Sequence, residues 1–245
     1  MSERIIAVTD AESADVGVDE RRRTMRALHG VTAVCAVSFV PLAVAAHHAG
    51  NLLLDHRIDS ALYRAQGTRG HKVATAATFF GSANGVAAVG IVVALWLLMR
   101  KRPAVALMVL ASPVIGAAAE ILAKKAVDRF QEPTGFDNYF RNQHFPSGHV
   151  SGYTALALAI VLAASLPALG GVRARLVPLS IAAFAGAALV SISRVVIGAH
   201  FFTDTVGGFL LGTGVASALA SVVVAFTPPE RYRALLRRGQ LPTSR

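Results

Sequence analysis

Residues 193–226 read SRVVIGAHFFTDTVGGFLLGTGVASALASVVVAF. From Phe201 onward this run is 26 residues long and carries a single charge, Asp204. An α-helix rises about 1.5 Å per residue, so about 20 apolar residues cross a hydrocarbon core. The stretch therefore reads as a membrane span with a polar segment at its start. Five further stretches have the same character: 27–46, 73–99, 103–123, 150–169 and 176–192. Together the six occupy just over half of the 245 residues.

Composition agrees. Hydrophobic residues make up 54% of the chain and charged residues 16%, against about 25% charged in soluble domains. Mean hydropathy is +0.53. A water-soluble globule is excluded. Backbone groups in lipid must be satisfied within the segment, and no strand-like alternation is present, so the expected fold class is all-α, a bundle of six transmembrane helices. The lone Cys35 leaves no internal disulfide and no cysteine metal site. Three regions follow: an N-terminal tail of residues 1–26, a membrane domain of residues 27–226, and a basic tail of residues 227–245. The first 20 residues, with Asp10, Glu12, Asp15, Asp19 and Glu20, read as disordered.

The net charge of +10 is explained by orientation. An even number of crossings puts both tails on one side. That side, with the loops at 100–102 and 173–175, holds fifteen of the 24 lysines and arginines. The positive-inside bias makes it cytoplasmic. Arg231, Arg233, Arg237 and Arg238 then suit anionic inner-leaflet lipids, with no nucleic-acid partner implied. Arg21-Arg22-Arg23 before an apolar run that ends in small residues also has the form of a cleavable signal, which would leave five crossings. The run is long enough to span and is read as the first crossing. Between the first two spans, residues 51–64 place Leu53, Leu54, Ile58 and Leu62 at near-helical spacing, as in a short helix lying in the outer interface.

Charges inside spans are costly and call for pairing or function. They fall in three clusters: Glu120 and Lys124-Lys125 with Asp128-Arg129, then Pro146-Ser147-Gly148-His149, then Ser193-Arg194 with His200 and Asp204. Alternating helices bring the end of the third span, the start of the fourth, the end of the fifth and the start of the sixth to one membrane face. All three clusters should meet there, on the extracytoplasmic side. Each suits a phosphate. Ser147-Gly148 at a helix start offers backbone N–H groups and the positive dipole end, and Lys124 and Arg194 add fixed charge. His200 and Asp204, four apart, share a helix face, so the carboxylate can hold one imidazole nitrogen and leave the other to attack. His149 remains to protonate a leaving group. Glu120, four residues before Lys124, reads as its ion-pair partner. The pairs Gly148/Gly152 and Gly208/Gly212 read as close helix packing.

These clusters resemble the signature of the type 2 phosphatidic acid phosphatase superfamily, K-x6-R-P, P-S-G-H and S-R-x5-H-x3-D, whose membrane branch is related to the vanadium haloperoxidases. Pro146–His149 and Ser193–Asp204 are complete matches, and the resemblance covers about residues 51–226. The first motif departs: counting from Lys124, the R-P pair falls on Gln131-Glu132, while Arg129 occupies an earlier arginine position found in many members. Arg129, or else Arg141, is the candidate to fill the gap. The resemblance implies a metal-independent lipid phosphate phosphatase, without cofactor, acting on polyprenyl diphosphate, phosphatidate or a similar lipid through a phosphohistidine. His200 would be the nucleophile, Asp204 its orienting base and His149 the acid. Lys124, Ser147, Gly148, Arg194 and Arg129 would bind phosphate. A lipid phosphotransferase using the same site, or a lipid-binding or transport homologue impaired by the incomplete first motif, stands as the alternative. The aromatics of residues 130–145, Phe136, Tyr139, Phe140 and Phe145, are expected to shape substrate entry.

Overall fold

The apolar runs become helices that lie side by side, with the polar breaks at their ends. The computed structural model describes residues 2–49, 52–64, 66–129, 145–166, 169 and 171–227, with backbone alone for residues 2–17 and 49. Regular structure among them is helical throughout. In chain order the α-helices are α1 (Ser2–Ala49), α2 (Leu53–Leu62), α3 (Arg69–Thr78), α4 (Ala83–Met99), α5 (Pro103–Val127), α6 (Gly148–Ser165), α7 (Leu176–Val196) and α8 (Phe202–Ala225). Five helices are long and apolar enough to cross a membrane, or six if the bent pair α3–α4 is one span.

Helices α6 and α8 form the centre. Val150, Ala155, Ala159, Ala216, Ala220 and Val224 have no exposed surface. Small residues set the contact: a methyl group at Gly208 would lie 2.4 Å from the Ser147 carbonyl oxygen, so only glycine lets α8 approach the first turn of α6 this closely. Helices α1, α5 and α7 pack around this pair. On the outside, Val37, Val92, Leu107, Val114, Leu122, Val177 and Ile181 are each more than 60% exposed. In water such a surface would associate; in lipid it is solvated.

Four expectations change. Residues 73–99 are not one helix: α3 and α4 meet at 45° across a 3-10 turn at Phe79–Gly81. Ser82 is extended there and its hydroxyl accepts a hydrogen bond from Gly85 N at 3.1 Å, capping a new helix. The fourth span stops at Ser165 rather than 169, because Leu166 precedes Pro167 and takes an extended conformation. The backbone is helical from Ser2, where a disordered tail was expected; residues 2–26 contain one glycine and no proline, so nothing interrupts the helical ladder. Finally, α2 turns its polar face inward: Asp55 is fully buried while Leu53 and Leu54 are exposed.

Arginines counted for orientation also close helix ends. Arg21 donates to the Ala225 carbonyl at the end of α8, and Arg102 donates to the Ala163 carbonyl at 2.9 Å and to that of Leu169 after α6. Cations at carbonyl-rich C-termini oppose the helix dipole. The polar clusters lie at the other ends of α6 and α8.

Candidate active site

Three local turns deliver the side chains. Helix α5 ends where Asp128 adopts a left-handed conformation, φ 42° and ψ 49°, and its N–H bonds the Lys124 carbonyl at 2.9 Å. Aspartate tolerates this region, and the turn sends Arg129 into the bundle. The His47 ring hydrogen-bonds the adjacent Val127 carbonyl at 2.7 Å, satisfying a second helix-end acceptor. Helix α7 ends at Val196, and Gly198, φ +70°, turns the chain between Arg194 and His200. Phe201 is then extended and α8 begins.

At the start of α8, Asp204 is wholly buried. Its Oδ2 accepts from Phe201 N at 3.0 Å and lies 3.4 Å from His200 Nδ1, a long contact that leaves Nε2 pointing away from the carboxylate. Its backbone carbonyl accepts from Ser147 N at 2.9 Å, which joins the start of α6 to the start of α8. Arg194, His200 and Lys124 all lie near enough to His149 for their charges to act on it. Arg194 Nη1 donates to Thr78 Oγ1 at 3.2 Å, a contact created by the break after α3. The same break brings Gly81 so close to α6 that a methyl group there would lie 2.7 Å from the His149 carbonyl oxygen. Ser147 Oγ and Arg194 Nε are buried and have no hydrogen-bond partner among the described residues. Buried donors without partners are rare, and a bound anion would satisfy both. Lys124 meets Glu120 at 2.5 Å, the expected i,i+4 pair.

Arg129 is the correction. It was expected to help bind phosphate, yet its guanidinium is buried and committed elsewhere. Nη1 donates to Asp204 Oδ1 at 2.6 Å and to Thr203 Oγ1 at 2.8 Å, and Nη2 donates to Asp55 Oδ2 at 2.6 Å. Its plane also lies over the Phe201 ring, 4.6 Å from the centroid. Two carboxylates within hydrogen-bond reach thus hold one guanidinium and tie it to Asp204 and Asp55.

Asp55 is the residue that sequence reasoning missed. It accepts from Thr203 N at 2.8 Å and Thr203 Oγ1 at 2.7 Å, capping α8 from α2. The signal was present: Asp55, Ile58, Asp59 and Leu62 share one helical face, and two acids on a face with Ile and Leu are misplaced unless that face meets cations or helix N-termini. Asp59 Oδ1 is buried without a partner among the described residues, and burial, with the Asp55 carboxylate nearby, pushes its carboxyl up to about 7. Phe145 is also reassigned. It has no exposed surface and packs against Phe39, centroids 5.4 Å apart, so it belongs to the core rather than to an entry path. Gln131, Glu132, Phe136, Tyr139, Phe140 and Arg141 lie outside the described residues, as does the tail beyond Thr227.

Residues 124–228, which hold all three clusters except Glu120, match the sequence profile of the PAP2 superfamily. The fold is similar to the crystal structure of the first transmembrane PAP2 type phosphatidylglycerolphosphate phosphatase from Bacillus subtilis, at 25% sequence identity and a TM-score of 0.64. The likeness covers 77% of this chain and 93% of that one. No curated protein matches the chain. With its apolar helices and its likeness to a transmembrane PAP2 structure, the protein is an integral membrane protein. The PAP2 match begins at Lys124, so Asp55 of α2 and Thr78 of α3 reach the site from outside the matched segment.

Proposed function

We propose that this protein is a metal-independent phosphatase for a phosphate or diphosphate group on a membrane lipid, working through a phosphohistidine. The observation that carries the reading is the His200–Asp204 contact at the start of α8, tied by the Ser147 N–H to the start of α6, with Lys124 and Arg194 close to His149. The phosphate would bind to Lys124, Ser147, the Gly148 N–H and Arg194. These donors would stabilise the negative charge of the transferring group, the part that Mg²⁺ plays in many phosphotransfer sites.

His200 Nε2 attacks phosphorus while Asp204 holds the Nδ1–H. The bond from phosphorus to the lipid oxygen breaks, and His149 gives that oxygen its proton. Water then attacks the phosphohistidine, its proton goes to His149, and phosphate leaves with His200 restored. With α3 and α4 read as one bent span, six crossings and the excess of Lys and Arg on the side of both tails support cytoplasmic termini and a site at the outer interface. Lipid-facing sides on α4, α5 and α7 suit a substrate that arrives from the bilayer. Candidate substrates are polyprenyl diphosphate, phosphatidate and, from the Bacillus subtilis neighbour, phosphatidylglycerolphosphate.

The test is phosphate release by purified protein in detergent from a panel of these lipids. Release from at least one lipid, retained in excess chelator and lost in His200→Ala, is the expected result. Release that survives His200→Ala overturns the mechanism, and chelator inhibition overturns its metal independence. Product that carries the phosphate on an added alcohol would assign the chain as a phosphotransferase. Binding of lipid phosphate without turnover would assign it as a lipid-binding homologue.

A further inference from the structure

Glu120 precedes Lys124 by one turn of α5 and holds its ammonium at 2.5 Å. The same carboxylate also lies against α6: a methyl group built on Gly148 would sit 2.4 Å from each of its two oxygens. The first residue of α6 thus faces a negative group, at a helix end that favours one. Glu120 and Lys124 are 15% and 23% exposed, so water reaches the pair and it can open without stranding a buried charge. One of the groups that would hold a substrate phosphate, the Lys124 ammonium, is therefore already occupied by a carboxylate of the chain itself, which also lies beside the Cα of Gly148.

We propose that Glu120 is an internal competitor, a carboxylate that occupies the phosphate position at Lys124, beside Gly148, until a more strongly held anion displaces it. The proposal rests on the phosphate site described above. Its consequence follows from charge. A bilayer is rich in phosphodiester headgroups, which carry one negative charge on the phosphate. A carboxylate of equal charge, tethered at high effective concentration, competes well with a diester. A phosphate monoester or terminal diphosphate approaches two charges near neutral pH and interacts about twice as strongly with the same cations. Glu120 thus lowers the affinity for every anion by one factor, which leaves the weakly held diester lipids unbound and the more strongly held monoester bound.

The experiment measures binding in detergent micelles, independent of turnover, by calorimetric titration with inorganic phosphate and by competition with phosphatidylglycerol, a phosphodiester. Glu120→Gln keeps the shape and removes the charge. It should tighten inorganic phosphate by about threefold to tenfold, the size of a partly exposed charge contact, and phosphatidylglycerol by a comparable factor. Glu120→Asp keeps the charge but withdraws it from Gly148 by one methylene, and should tighten both ligands less. Unchanged or weakened phosphate binding in Glu120→Gln overturns the proposal and makes Glu120 a support for Lys124. Tightening in Glu120→Gln with none in Glu120→Asp overturns occupancy and leaves only a long-range charge effect. Lys124→Ala separates the two layers: if it binds phosphate as the parent does, the phosphate site itself is wrong. If it binds weakly while Glu120→Gln fails to tighten, only the role of Glu120 falls.

Discussion

Arg129 and Asp55 meet at 2.6 Å with neither side chain exposed, although 74 residues separate them in the chain. Asp204 takes the other side of the same guanidinium, also at 2.6 Å. The three groups form one buried network between α2, the end of α5 and the start of α8. Removing the cation would strand two buried carboxylates. Arg129→Leu should therefore destabilise the protein by about 3–5 kcal/mol, read as a fall in the thermal midpoint in detergent. A phosphate ligand would behave differently: KM would rise and the midpoint would hold, and that outcome would restore Arg129 to the substrate.

Asp55→Asn should lower activity without touching substrate, since it loosens both Arg129 and the Thr203 cap that orient Asp204. The expected loss is about tenfold to 100-fold, largely in kcat. Activity kinetics on any lipid hydrolysed by the parent protein check it, and a pure KM effect would place Asp55 in a binding role.

Within the proposed mechanism, His200→Ala should reduce phosphate release by at least about 10³-fold, and His149→Ala by about 10²–10⁴-fold, the usual scale of a general acid. The two losses should differ with leaving group. A substrate with an activated phenolic leaving group needs little protonation, so His149→Ala should lose much less on it than on an alkyl ester. Equal losses on both would remove His149 from the acid role.

Asp59 predicts a pH effect on stability. Its carboxyl is raised in the folded protein from 3.8 to about 7, by burial first and by Asp55 next. Between these values the folded state holds a proton that the unfolded state has released, so stability falls as pH rises through this window and levels off above it. The Asp59→Asn variant lacks the group. Its thermal midpoint should gain on the parent steadily from about pH 5 to about pH 8, and parallel curves would contradict the assignment.

A methyl group at Gly208 would lie 2.4 Å from the Ser147 carbonyl oxygen and 3.2 Å from Ser151 N. Backbone cannot yield as a flexible side chain can. Gly208→Ala should force α8 away from α6, costing about 1–3 kcal/mol, and should lower activity because Ser147 N and Asp204 O are tied across this contact. A variant with unchanged midpoint and activity would show that the two helices have room to spare.

Much of this protein was legible from local pattern. Apolar runs of about 20 residues identify helices in lipid because the solvent demands it, whatever their neighbours. His200 and Asp204 meet because four residues is about one helical turn, and Glu120 meets Lys124 for the same reason. Even the convergence of Pro146–His149 with Ser193–Asp204 followed from counting crossings. The break at residues 79–82 was harder to see, since Val73 to Met99 is apolar throughout its length apart from small polar residues, and only the close approach of Gly81 to His149 explains why a bend is needed there.

What sequence alone determined is therefore the class of environment, the helices, and the pairs within one turn of each other. Tertiary structure decided which charges meet across helices. In the sequence Arg129 read only as a candidate phosphate ligand, with Arg141 as the alternative. Its contacts are set by a left-handed turn at Asp128 and by Asp55 arriving from α2. Glu120 likewise reads in sequence as a partner of Lys124 and nothing more, and its contact with Gly148 exists only because α5 and α6 cross there. The physical reason is range. Hydrophobic periodicity and helical spacing act over a few residues, whereas the pairing of buried charges depends on how closely helices pack, and here small side chains and turn angles at distant points of the chain set that distance.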